Sequence, residues 1–163
     1  MAAPIRTQIR NAFAGGVVAG SNLATTGALV GLATTGAGVY VGRYLPVKTA
    51  KLPCLFVRLA TQQSRGLESM GLPRDQTIAT TLSVIAAAKS EADVDALLDQ
   101  IDMEVRMAAY AAFRGALAGI VKRVDYEGIT EYGEDDDNED IAAAQMDFSI
   151  EYVSPENAPD QPL

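Results

Sequence analysis

Histidine and tryptophan are absent from these 163 residues, and cysteine occurs once. Without an imidazole there is no Ser-His or Cys-His relay, no His-based acid-base chemistry and no ligand set for most zinc sites. That one absence removes many enzyme classes together. The lone Cys54 rules out an intramolecular disulfide, and its place in the apolar run Cys54-Leu55-Phe56-Val57 reads as a small core side chain rather than a reactive thiol. Aromatic residues make up 6% of the chain, so Ala, Val, Leu and Ile must fill the core, with oligomer contacts as a supplement to a modest subunit stability. A long apolar run is missing as well. Residues 11 to 42 are uncharged, but their eight glycines, several threonines, Ser21 and Asn22 give too little transfer free energy for a membrane span. Arg6 and Arg10 precede no signal-peptide apolar core with a cleavage site, so a soluble protein made in a cytoplasm is expected.

What is present is enough apolar sequence, 48%, for one domain over residues 1–153, with the proline-rich residues 154–163 as a flexible tail. The formal charge of −8 is unevenly spread. Residues 1–81 hold eight Lys/Arg and two acids, whereas residues 82–163 hold five Lys/Arg and nineteen acids. Two surfaces of opposite sign, suited to head-to-tail stacking of copies, are one reading and a solvated acidic face with an acidic loop the other; general DNA binding by a basic surface is disfavoured.

The periodicity alternates between helix and strand. Pro4 suits a first helical turn, with Ile5, Ile9, Ala12 and Phe13 at helical spacing and Arg6 and Arg10 on another face, until Gly15-Gly16 ends the helix. A near-repeat of period nine follows, Leu23-Ala24-Thr25-Thr26-Gly27-Ala28 and Leu32-Ala33-Thr34-Thr35-Gly36-Ala37, read as a local duplication that lengthens a loop or helix. Gly36 and Gly38 suit a helix exit before a short strand, Val39-Tyr40-Val41. After a proline-marked linker, Cys54 to Ala60 is a strand, residues 62 to 75 a projecting loop, and Thr77 to Ala87 an alternating strand. Ser90 offers an N-cap for a helix over 91–113 with a stripe of Val94, Leu97, Leu98, Ile101, Val105, Ala108 and Ala109. Ile120 to Tyr132, weakened near Gly128, and Ala142 to Val153 form an antiparallel hairpin around an acidic connection. The fold class is α+β.

Few residues invite chemistry. Glu134, Asp135, Asp136, Asp137, Glu139 and Asp140 are the one concentrated set of possible metal ligands, but the run has neither the length nor the glycine of a calcium loop and reads as a solvated hairpin tip. Asp95, Asp99 and Asp102 lie opposite the apolar stripe, where exposed acids keep ordinary pKa values. Gly36, Gly38 and Gly42 precede a strand, the reverse of the order in a phosphate-binding loop. No catalytic residue, metal or cofactor is expected. Arg43, Arg58, Arg65 and Arg74 are candidate contacts to partner subunits.

With these elements in place the chain resembles the tail terminator proteins of long-tailed bacteriophages, the lambda-type minor tail protein U family. The likeness runs through Leu32-Ala33-Thr34-Thr35-Gly36, Val39-Tyr40-Val41-Gly42-Arg43 and Leu52-Pro53-Cys54-Leu55-Phe56-Val57, then the strand 77–87, the helix 91–113, Gly119-Ile120-Val121 and Phe148-Ser149-Ile150-Glu151-Tyr152. It departs from the family in the duplicated residues 23–31. The resemblance implies a mixed, mainly antiparallel sheet packed against two or three helices, in a subunit of a homo-hexameric ring. Such a ring caps the tail tube protein, meets a head-tail connector or neck protein, and passes DNA through its lumen without specific binding. It belongs to the virion, at the head-proximal end of the tail, and is assembled in the host cytoplasm. An acidic lumen lined by residues 134–140 would suit that passage. A head-tail joining or head-closure protein is the nearest alternative reading, and a small hydrolase a more distant one.

Overall fold

The computed structural model describes residues 3–42, 51–66, 75–132 and 141–155, the side chains of 61–66, 75, 131 and 132 excepted. The chain is α+β: the described residues form two helices and a mixed, mainly antiparallel five-stranded sheet, with a small two-stranded sheet besides.

Pro4 precedes helix α1, Ile5–Ala14, and has no N–H to leave unpaired in the first turn. Ile5, Ile9 and Phe13, one face of that helix, are completely buried. The chain then forms β1, Gly15–Val17, and β2, Ala24–Thr26, antiparallel to each other. β3, Val39–Val41, runs parallel to the start of β4, Cys54–Gly66. β5, Asp75–Lys89, leads to α2, Val94–Arg114, and the hairpin of β6, Arg123–Tyr132, with β7, Ile141–Pro155, closes the sheet in the order β3-β4-β5-β7-β6. The β5–β7 ladder is unbroken from Asp75↔Pro155 to Lys89↔Ile141. Both helices pack on one sheet face, over the registered rows Leu82↔Phe148, Val84↔Met146 and Ala86↔Ala144. One end of the opposite face carries a second apolar cluster. Tyr40, Cys54, Phe56, Ile85, Ala87, Ile141 and Ala143 cluster there, with Leu23 and Leu52 against them and the Tyr40 and Phe56 rings stacked at 5.7 Å. Burial on both faces is why Val84 to Ala88 reads as a continuous apolar run rather than an alternation.

Several expected boundaries move. β4 continues to Gly66 where a loop is expected from residue 62, because backbone pairing from Gln62↔Thr80 to Gly66↔Gln76 asks nothing of the side chains. A bulge between Leu59 and Gln62 absorbs the change. α2 starts at Val94 rather than 91. The Glu91 N–H donates to Lys89 O and the Val94 N–H to Glu91 O, so tight turns occupy the exit from β5 and Asp93, not Ser90, is the N-cap. β6 starts at Arg123 rather than 120, since Gly119, at φ +80°, lies in the turns that close α2. No helix ends at Gly36, where residues 28–37 form successive turns. β7 reaches Pro155, so Ser154 and Pro155 belong to the sheet and not to the expected tail. Gly128, at φ +130°, marks the β6 bulge, close to where the strand is expected to weaken.

Candidate functional site

A cleft between α1 and the β3–β4 edge gathers three arginines. Arg6 and Arg10 stand one helical turn apart on α1, and Arg58 projects from β4 just beyond the point where β3 stops. The cleft holds about 410 Å³ and is walled by Pro4, Val41, Gly42 and Leu59 besides the arginines, with no acid among its described lining residues. The Arg6 Nη2 donates to Leu59 O at 3.1 Å, and Arg10 donates through Nε and Nη2 to Asn11 Oδ1 at 3.4 and 3.1 Å. These acceptors are neutral. They orient the guanidinium groups without cancelling their charge, which leaves a fork geometry suited to carboxylates or phosphates.

Of the four arginines expected to contact partners, only Arg58 has a described side chain, and it is exposed in this cleft. The backbone of Arg65 lies in β4, while Arg43, Arg74 and the acidic residues 134–140 lie outside the described residues. Arg6 and Arg10 complete the cleft and were not among the expected residues. Their spacing put them on one helix face, yet nothing in the sequence brought that face to the β4 edge.

The other polar groups act as tethers. Asp102, expected to be exposed, is buried: it accepts a hydrogen bond from the Tyr126 hydroxyl at 2.6 Å and pairs with Arg106 at 2.7 Å. Asp95 and Asp99 are exposed as expected. Asp102 sits at the border of the buried stripe formed by Leu98, Ile101, Val105, Ala109 and Ala112, which reaches β6, and that strand supplies the phenol that compensates its burial. The Arg106 guanidinium lies 5.1 Å from the centre of the Tyr126 ring, which in turn packs on Phe148. Burial first, and then the bond to Asp102, push the Tyr126 phenol well above its ordinary pKa. Glu104 fastens the middle of α2 to the turns before β3. It accepts from the Thr34 backbone N–H at 3.1 Å, from Thr34 Oγ1 at 2.7 Å and from Gln100 at 2.9 Å, and with the Gln100 bond foremost its carboxyl lies below the usual range. On the helix-free face, Asp147 accepts from buried Ser83 at 2.6 Å and from Gln145 at 2.9 and 2.8 Å. Cys54 is fully buried, and desolvation pushes its thiol up to about 11.

No group of three or more His, Cys, Asp or Glu among the described residues is arranged to hold a metal. No described helix is long and apolar enough to cross a membrane. No family model matches the chain, and no curated protein matches it.

Proposed function

We propose that this chain is a tail terminator of a long-tailed bacteriophage, a non-enzymatic subunit that assembles into a six-membered ring on the end of the tail tube. The ring ends tube polymerisation and offers the surface to which the head connector docks, while DNA passes through its lumen. Its place is the head-proximal end of the tail in the virion.

The observation that carries this reading is the order of elements along the chain. The short strand Val39–Val41, the strand opening at Cys54, the long β5, the 21-residue α2 and the closing strand through Phe148 and Tyr152 are the segments on which the family resemblance rests, and each is a distinct element of one sheet and its helices. The use of the polar side chains favours a structural role. Asp102, Glu104 and Ser83–Asp147 each hold one element to another. Charge also favours assembly, because arginines gather at one sheet edge while the opposite edge leads into the acidic connection between β6 and β7.

The test is genetic. Disrupting the coding sequence in a phage that carries it, followed by electron microscopy of the lysate, should show tails of abnormal and variable length. Tails of normal length that fail to join heads would make this a joining or closure protein instead, and normal virions would end both readings.

A further inference from the structure

We propose that the outward face of α2 is a two-fold contact between copies of this chain, in which α2 of one copy lies antiparallel on α2 of a second. The inference goes beyond the ring reading and does not rest on it, since a two-fold contact pairs two copies and closes no ring by itself.

Six large apolar side chains are exposed among the described residues, and three of them, Met103, Met107 and Tyr110, lie on this one helix at 45%, 67% and 51% exposure. They follow one another at helical spacing and so form a single stripe. Leu98, Ile101, Val105, Ala109 and Ala112 already bury the other face of α2 in the core, so core packing does not account for a second stripe. Methionine and tyrosine are enriched in contact surfaces, where a solvated helix face carries charged and polar groups.

The charges identify what covers the stripe. Asp99 lies one turn before Met103 and Arg114 one turn after Tyr110, both exposed on the same face. Neither has an ion-pair partner in its own chain among the described residues. The point between Arg106 and Met107 is midway between Asp99 and Arg114, and also midway between Met103 and Tyr110. A two-fold axis through that point sets each Asp99 against Arg114 of the second copy and each Met103 against its Tyr110, with the two Met107 side chains together beside the axis. One face then satisfies itself, which is what an isologous contact requires. Antiparallel helices also bring opposite ends of their dipoles together. Arg106, the other charge near the axis, is already paired with Asp102 and lies over the Tyr126 ring, so it adds no uncompensated like charge. A helix of an unrelated protein would meet this face without that symmetry. α2 has 21 residues and a length of about 31 Å. One such helix pair falls short of the roughly 1,200–2,000 Å² of a standard interface, so the dimer is weak and reversible, with a dissociation constant in about the micromolar range.

The experiment is sedimentation equilibrium of the full chain at low salt, with circular dichroism confirming that each variant is folded. The wild type should be a monomer–dimer mixture. Met107→Asp, at the most exposed of the three apolar positions, should weaken the dimer by at least about 100-fold, because it sets two carboxylates against each other at the axis. Asp99→Arg alone and Arg114→Asp alone should each weaken it by about 10-fold, two pairs being reversed in every dimer. An equimolar mixture of those two variants, and the double variant Asp99→Arg with Arg114→Asp, should both recover the wild-type affinity, since every arginine again faces an aspartate. A wild type that is monomeric up to its solubility limit would overturn the contact, as would dimers that Met107→Asp leaves intact or a double variant as weak as the singles. Hexamers that survive Met107→Asp with no dimer beside them would overturn it too, while supporting the ring reading. That reading stands or falls separately, on the tails in the phage lysate.

Discussion

Replacing Asp102 with alanine should cost this protein about 2–4 kcal/mol, a large share of the roughly 5–15 kcal/mol typical of a folded domain. The figure comes from two contacts. The carboxylate accepts the Tyr126 hydroxyl at 2.6 Å, and a hydrogen bond to a charged group contributes about 1.5–3 kcal/mol. It also pairs with Arg106, whose side chain is 44% exposed, so solvent screening holds that pair to roughly 0.2–1 kcal/mol. Alanine removes both and leaves the partly buried phenol without its acceptor. Asparagine keeps an oxygen for the phenol and loses only the charge, so Asp102→Asn should cost about half as much. Tyr126→Phe leaves Asp102 with Arg106 and should cost about 1–2 kcal/mol. Urea unfolding at one fixed protein concentration measures all three, the fixed concentration being needed because assembly adds to apparent stability. The double variant should be less destabilised than the sum of the singles by about 1–2 kcal/mol, since the same bond is removed twice. A loss below about 0.5 kcal/mol for Asp102→Ala, or strict additivity, would refute the claim that this tether holds α2 to β6.

The same site gives a pH signature. The Tyr126 phenol is raised by burial and by Asp102, so the folded chain keeps a proton that the unfolded chain releases near pH 10. The stabilisation is complete below that pH and declines above it, by up to about 1.4 kcal/mol per pH unit, until the folded phenol itself ionises. Tyr126→Phe should make the alkaline decline shallower without abolishing it, because Tyr152 is also raised by burial.

Two further outcomes are expected. Burial moves Cys54 from an ordinary 9.0 to about 11, so at pH 8 its thiolate should be about 100-fold scarcer in the folded chain and a disulfide reagent should react at a rate set by unfolding; reaction as fast as in urea would contradict the buried position. Gly27→Ala should cost roughly 2–5 kcal/mol by thermal or chemical melting, because φ is +113° and a methyl group would sit 2.5 Å from the Phe13 carbonyl oxygen, while Gly36→Ala, at φ +56° in open space, should cost only about 1–2 kcal/mol.

Periodicity carried most of the fold. Ile5, Ile9 and Phe13, the alternation through β5 and the Met146-Phe148-Ile150-Tyr152 row all face the core as their spacing requires, because burial is the largest single term those positions feel. The sequence was least legible where backbone pairing or a distant partner decides. Gln62 to Gly66 look like loop and pair as strand, and Asp102 looks like surface until Tyr126 arrives from 24 residues away. The cleft was only partly legible for the same reason, since Arg6 and Arg58 are brought together by long-range packing of α1 on β4.

The duplicated segment shows how strongly that context acts. Leu23-Ala24-Thr25-Thr26-Gly27-Ala28 and Leu32-Ala33-Thr34-Thr35-Gly36-Ala37 are identical in sequence, yet the first forms β2 and the second a set of turns. Neighbours account for the difference. The first copy lies against β1, where Thr25 and Thr26 donate to the carbonyls of Gly16 and Gly15 and Gly27 lets the chain pass close to the end of α1. Ala28 and Leu29 then donate to Ala12 O and Phe13 O, closing carbonyls that a helix terminus leaves open. In the second copy Thr34 is held instead by Glu104 of α2, and the Thr35 hydroxyl is buried without a partner among the described residues. A buried hydroxyl without a partner costs about 1–3 kcal/mol, so the turn conformation is not one that Thr35 favours by itself. It is imposed by Glu104 on one side and by the need to deliver Val39 to the edge of β4 on the other.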